Sequence, residues 1–100
     1  MIESFSNGYY IKDFWITPEN QHEILINNKE YNYLKNIYKD NPILIKLNKK
    51  HFKVNKDKDI PKNTMQIPKN ICSNVNLKRV PDKYPILLLK PFMCSYIYKL

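Results

Sequence analysis

The chain has 100 residues, a formal net charge of +8, one glycine and two cysteines, with an apolar fraction of 43%. That length suits one domain spanning 1–100 with a single core, and the apolar content excludes a wholly disordered chain. The longest apolar run, Ile86–Leu89, is too short to span a bilayer, and the N-terminus lacks the basic and apolar regions of a leader. The sequence therefore points away from a membrane protein and towards the cytoplasm, with Cys72 and Cys94 as reduced thiols.

Ser6-Asn7-Gly8 is a turn signal, with Gly8 free to take a positive φ. Tyr9–Ile16 follows as a strand rich in aromatic and β-branched residues. Tyr10, Phe14 and Ile16 share one face; Tyr9, Ile11 and Trp15 share the other. Both faces are heavy: either the strand is covered on both sides, with coverage by a helix favoured, or one aromatic face is exposed for a partner. Thr17-Pro18-Glu19 reads as a helix start: a capping hydroxyl, a proline suited to the first helical position and an acid at the positive end of the dipole. A helix over about 18–39 is expected. Ile24, Tyr31, Leu34 and Tyr38 form its apolar stripe with Ile37 beside it, and Asn27 and Asn28 are weak points.

Asp40-Asn41-Pro42 ends the helix. A hairpin is expected next: Ile43–Leu47, a turn at Asn48-Lys49-Lys50, and a return over His51–Val54. Asn48 is the turn residue best suited to a left-handed conformation. Ile60-Pro61-Lys62-Asn63 recurs as Ile67-Pro68-Lys69-Asn70, which reads as two turns flanking a short strand. Residues 70–85 read as irregular, Ile86–Lys90 as a buried strand and Cys94–Tyr98 as a last one. The expected class is α+β: a small antiparallel sheet or open barrel with one helix packed on it.

Lys, Asn and Ile dominate the composition and Ala is absent, a skew that AT-rich codons alone would produce. The distribution of charge is more telling. Residues 1–40 hold four lysines and six acids, a net of −2; residues 41–100 hold 12 lysines, Arg79 and three acids, a net of +10. A basic half attracts polyanions.

Phe5-Ser6-x-Gly8-Tyr9-Tyr10, then Lys46-Leu47-x-x-x-His51-Phe52-x-Val54, Pro61-x-x-Thr64 and Ile67-Pro68 carry a resemblance. Over roughly residues 4–68 the chain resembles an uncharacterised family of small archaeal proteins from halophiles and methanogens. The resemblance implies no assigned activity, so it transfers no functional residue.

Lys46, Lys49, Lys50, Lys53, Lys56, Lys58 and Lys62 form the densest basic run and are candidate phosphate contacts, with Lys78 and Arg79 as secondary ones. Tyr9, Trp15, Tyr96 and Tyr98 are candidate base-stacking or interface aromatics; the bland alternative for each is a packed core face. His22, His51, Cys72 and Cys94 lack the spacing of a zinc site, so neither metal nor cofactor is implied. No phosphate-binding glycine loop or nucleophile elbow is present, and Asp57 and Asp59 sit in a lysine-rich loop, so no enzyme is expected. The expectation is an RNA-binding protein, with ribosomal RNA favoured, in a ribosome or other ribonucleoprotein. Its proline-rich 60–85 segment would wrap along the RNA. The alternative is an accessory protein-interaction subunit of a larger cytoplasmic complex. Aromatics ringed by lysine favour RNA; aromatics within an apolar patch favour protein.

Overall fold

The structure is a computed structural model that describes residues 8–94 and, for residues 3–6, the backbone alone. The expected strand over 94–98, with Tyr96 and Tyr98, lies outside the described residues apart from Cys94. Among the described residues the elements run β1 (Glu3–Ser6), β2 (Tyr9–Glu19), β3 (Ile24–Asn27), α1 (Asn28–Tyr38), β4 (Leu44–Leu47) and β5 (Lys50–Asp57). They continue through β6 (Thr64–Pro68), α2 (Lys69–Asn74) and β7 (Asp82–Leu89) to a single 3-10 turn at Pro91–Met93.

The sheet closes on itself. Strand order is β1-β2-β6-β3-β5-β4-β7, and β7 returns to pair with β2, so six strands form a barrel and β1 flanks it. The eleven residues of β2 make closure possible. Tyr9 to Ile16 pair with β7, while Trp15 to Glu19 pair with β6, so one strand serves both neighbours at staggered heights. The expected antiparallel sheet or open barrel is met in part: a barrel forms and most of its pairs are antiparallel, but it is closed and mixed. β2–β6 and β3–β5 are parallel pairs. β5 runs in the same direction as β3 because the connection between them contains β4, which is antiparallel to β5 and carries the chain back after α1.

Register sets the inner face. Phe14, Ile16, Ile24, Ile26, Ile45, Val54, Met65, Ile67, Ile86 and Leu88 alternate inward and are buried, giving one apolar core. Leu34 and Tyr38 of α1 complete it, and the Tyr38 hydroxyl donates to the Leu89 carbonyl. Burial pushes the Tyr38 phenol well above its ordinary range.

The helix begins ten residues later than Thr17-Pro18-Glu19 predicts. Those three residues instead extend β2, facing Gln66, Ile67 and Pro68. Pro18 is tolerated because β7 pairing ends at Ile16, so one side of β2 carries no ladder there. The true cap is Asn27, whose Oδ1 accepts from Lys29 N at 2.9 Å and Glu30 N at 3.1 Å. Its Nδ2 donates to the Ile60 carbonyl at 2.8 Å, tying α1 to the β5–β6 connection. Ile24 belongs to β3, and Ile37 lies on the outer side of α1.

The two Ile-Pro-Lys-Asn copies differ in conformation. The first is a turn in which Asn63 takes φ 62°; in the second, Ile67-Pro68 ends β6 and Lys69-Asn70 opens α2. Residues 70–85 are only partly irregular: α2 holds 70–74 and β7 begins at Asp82, leaving 75–81 between them without helix or strand. Pro85 sits within β7, where β4 pairs only with Leu87 and Leu88 and leaves that side open. Asn48 takes φ 56° in the hairpin turn, as its side chain predicts. Gly8 does not use its freedom: its φ is not positive, and an added Cβ would meet only Met93 at ordinary contact distance.

Candidate nucleic-acid interface

The barrel separates the basic run that sequence groups together. Lys49 and Lys50 sit at the β4–β5 turn, whereas Lys58 and Lys62 lie in the β5–β6 connection at the other end of β5. The eight residues of β5 put roughly 23 Å between its termini at about 3.3 Å per residue. Lys53 is exposed on β5 between them. Lys56 is committed locally: its Nζ lies 5.5 Å over the Tyr31 ring and donates to Asn32 Oδ1 at 3.3 Å. Lys78 and Arg79 are exposed after α2.

Tyr9, Lys46 and His51 cluster on the outer face. The Tyr9 hydroxyl and His51 Nε2 share a hydrogen bond of 2.8 Å, their rings stack with centroids 6.1 Å apart, and Lys46 Nζ lies 5.4 Å over Tyr9. Burial and the neighbouring Lys46 charge both hold the His51 imidazole below its ordinary pKa. Tyr9 is thus already stacked and capped, which makes it a poor platform for a base. His51 is half-buried on its strand, as expected.

Trp15 differs. It is 47% exposed on the outer face of β2, so the favoured expectation of full coverage gives way here to the alternative of an exposed aromatic face. Inward neighbours Phe14 and Ile16 are fully buried, so the strand is anchored beneath it. Trp15 borders a cleft of about 480 Å³ lined also by Lys12, Asp13, Asn63 and Lys83. Lys83 stands directly opposite Trp15 across the β2–β7 pair, and its Nζ lies 3.7 Å from Asp13 Oδ2. Trp15 N donates to the Asn63 carbonyl at 2.7 Å, which fixes the wall of the cleft.

Lys12 is the one charged side chain buried among the described residues, at 8% exposure. It lies on the inner face, with Nζ 2.7 Å from Asn63 Oδ1, 3.4 Å from Glu30 Oε2 and 4.9 Å over the Phe14 ring. Sequence reading singled out none of Lys12, Asp13, Asn63 or Lys83. Strand parity could have placed Lys12 inward with Phe14 and Ile16; the facing of Lys83 and Trp15 needs the closed register.

Cys72 and Cys94 are free and buried. Burial pushes both thiols up, at Cys94 against the opposing pull of Lys35, and a protonated thiol is a weak nucleophile. Among the described residues, no three His, Cys, Asp or Glu side chains gather as a metal site, and no helix is long and apolar enough to cross a membrane.

A closed, mixed six-stranded barrel with one main helix defines this as a small α+β barrel protein. The chain belongs to a family of unknown function (DUF5802), whose sequence profile matches residues 1–98. No curated protein and no solved structure matches it.

Proposed function

We propose that the protein binds single-stranded RNA without catalysis, as a cytoplasmic, ribosome- or ribonucleoprotein-associated factor of archaea. One observation carries this reading: a half-exposed tryptophan stands among lysines at a cleft, with Lys83 opposite it and Lys62 beside the cleft residue Asn63. An exposed indole offers a stacking face that any base can use, and nearby ammonium groups neutralise the phosphates that accompany it. Lys58 and Lys62, in the β5–β6 connection that carries Asn63, would extend the basic track.

Trp15 is the sole tryptophan, so its fluorescence reports on this cleft alone. Titration with a ten-nucleotide oligouridylate should quench it, with affinity falling as salt rises by about 0.7 log units per log unit of salt for each phosphate neutralised. Unchanged fluorescence, together with no salt-sensitive RNA binding by gel shift, overturns the proposal.

A second reading draws on α1. Tyr33 and Ile37 are four residues apart, share one face, and are 60% and 37% exposed. Such a pair suits an accessory subunit docking on another protein. Sedimentation of the endogenous protein with and without RNase separates the two readings. A complex that dissolves on nuclease treatment supports RNA; a nuclease-resistant one supports the subunit.

A further inference from the structure

Trp15 shares its side of the cleft with one acceptor and one donor. Asp13 precedes it by two residues on the same outward face, and Lys83 lies directly across from it on β7. Both heads are largely in water, so their contact at 3.7 Å is weakly held and open to exchange for a ligand. The ionised carboxylate only accepts hydrogen bonds and the ammonium only donates them. The remaining cation of the cleft, Lys12, is engaged by Glu30 and Asn63 and serves as wall.

A flat ring stacked on the indole turns its edge towards this pair. The four RNA bases meet it differently. Guanine carries an acceptor, O6, next to two donors, N1–H and N2–H. It can take a bond from Lys83 at O6 while giving two parallel bonds to the Asp13 carboxylate. Adenine offers one amino group beside the acceptor N1, and cytosine one amino group beside the acceptors N3 and O2, hence a single bond from either to Asp13. Uracil flanks its one N–H with two carbonyls, one of which would face the carboxylate. We infer that the Trp15 cleft binds an unpaired guanine, stacked on Trp15 and read by Asp13 and Lys83. The inference rests on the RNA-binding reading above and adds base identity to it.

The test compares ten-nucleotide oligouridylates that carry one central G, A, C or U, followed by Trp15 fluorescence and by anisotropy of labelled RNA. The central G should bind about tenfold more tightly than U, the scale of one good bidentate base contact, with A and C between. In Asp13→Asn, which keeps the shape but replaces one acceptor oxygen with an NH2 donor, the G-to-U ratio should fall to within about twofold. Equal wild-type affinity for all four oligomers overturns the guanine inference and leaves RNA binding standing. An undiminished G preference in Asp13→Asn overturns the assigned role of the carboxylate. No binding to any oligomer overturns both the inference and the function on which it rests.

Discussion

Glu30 closes an ion pair with Lys12 across the gap between helix and barrel, Oε2 to Nζ at 3.4 Å, while its other oxygen accepts from Asn63 N at 2.8 Å. One carboxylate thus holds three separate pieces of chain: β2, the start of α1 and the turn beside the cleft. Lys12 is far less exposed than a lone ammonium tolerates, so removing Glu30 leaves it short of a partner. Glu30→Gln should destabilise the fold by about 2–3 kcal/mol in urea unfolding, somewhat below the range for a fully buried pair because Glu30 remains partly wet. Lys12→Met combined with Glu30→Gln should recover most of that loss, since the uncompensated charge is then gone.

The Asn27 cap makes a related prediction for the same corner of the molecule. Its oxygen holds the first turn of α1 and its nitrogen holds Ile60. Asn27→Ala should lose both and cost about 2 kcal/mol; Asn27→Asp should keep the cap and lose only the donation, costing about 1 kcal/mol. Urea midpoints of the two variants against the parent check the order.

Local patterns that identify themselves were legible in the sequence: alternation in β2, the β4–β5 hairpin and the left-handed Asn48. The helix start was not, because Thr17-Pro18-Glu19 satisfies the rules for a cap as well as Asn27 does. Tertiary pairing with β6 decides between them, and nothing local to residue 17 encodes β6. Closure was hidden for the same reason. Tyr9 and Leu89 face each other across 80 positions of chain, and a strand's period of two is the same in an open sheet and a barrel. The candidate site inherits this limit. Trp15 was recognisable as a residue, but its companions Lys83 and Asn63 come to it only through the register.

His51 should make stability depend on acid. Its pKa is held down in the folded protein by burial and by Lys46, so the unfolded chain binds the proton more readily. The stabilisation is fully present above the unfolded value of about 6.5 and is lost as pH falls through the lower folded value. Lys46→Met removes one of the two causes and should move the His51 titration upward in an NMR pH series. It should also flatten the loss of stability between neutral and mildly acidic pH.

The separation of the lysines gives the sharpest test of whether position or mere charge matters. Lys62 adjoins Asn63, whose carbonyl accepts from Trp15 N, and Lys58 shares that β5–β6 connection; Lys49 and Lys50 lie at the other end of β5. The two pairs are equal in composition and net charge, so replacing either with alanine changes the overall field of the protein by the same amount. A lysine content set only by AT-rich codons, or a non-specific attraction between a basic protein and RNA, predicts equal losses. A track through the Trp15 cleft predicts unequal ones. Lys58→Ala with Lys62→Ala should weaken oligouridylate binding several-fold. It should also reduce the salt slope by about 1.4 if both contact phosphate, at about 0.7 per contact on a single strand. Lys49→Ala with Lys50→Ala should lower that slope less, because the track runs past Asn63 and Lys62 and not over the β4–β5 turn. Fluorescence titrations at three or more salt concentrations measure both slopes directly.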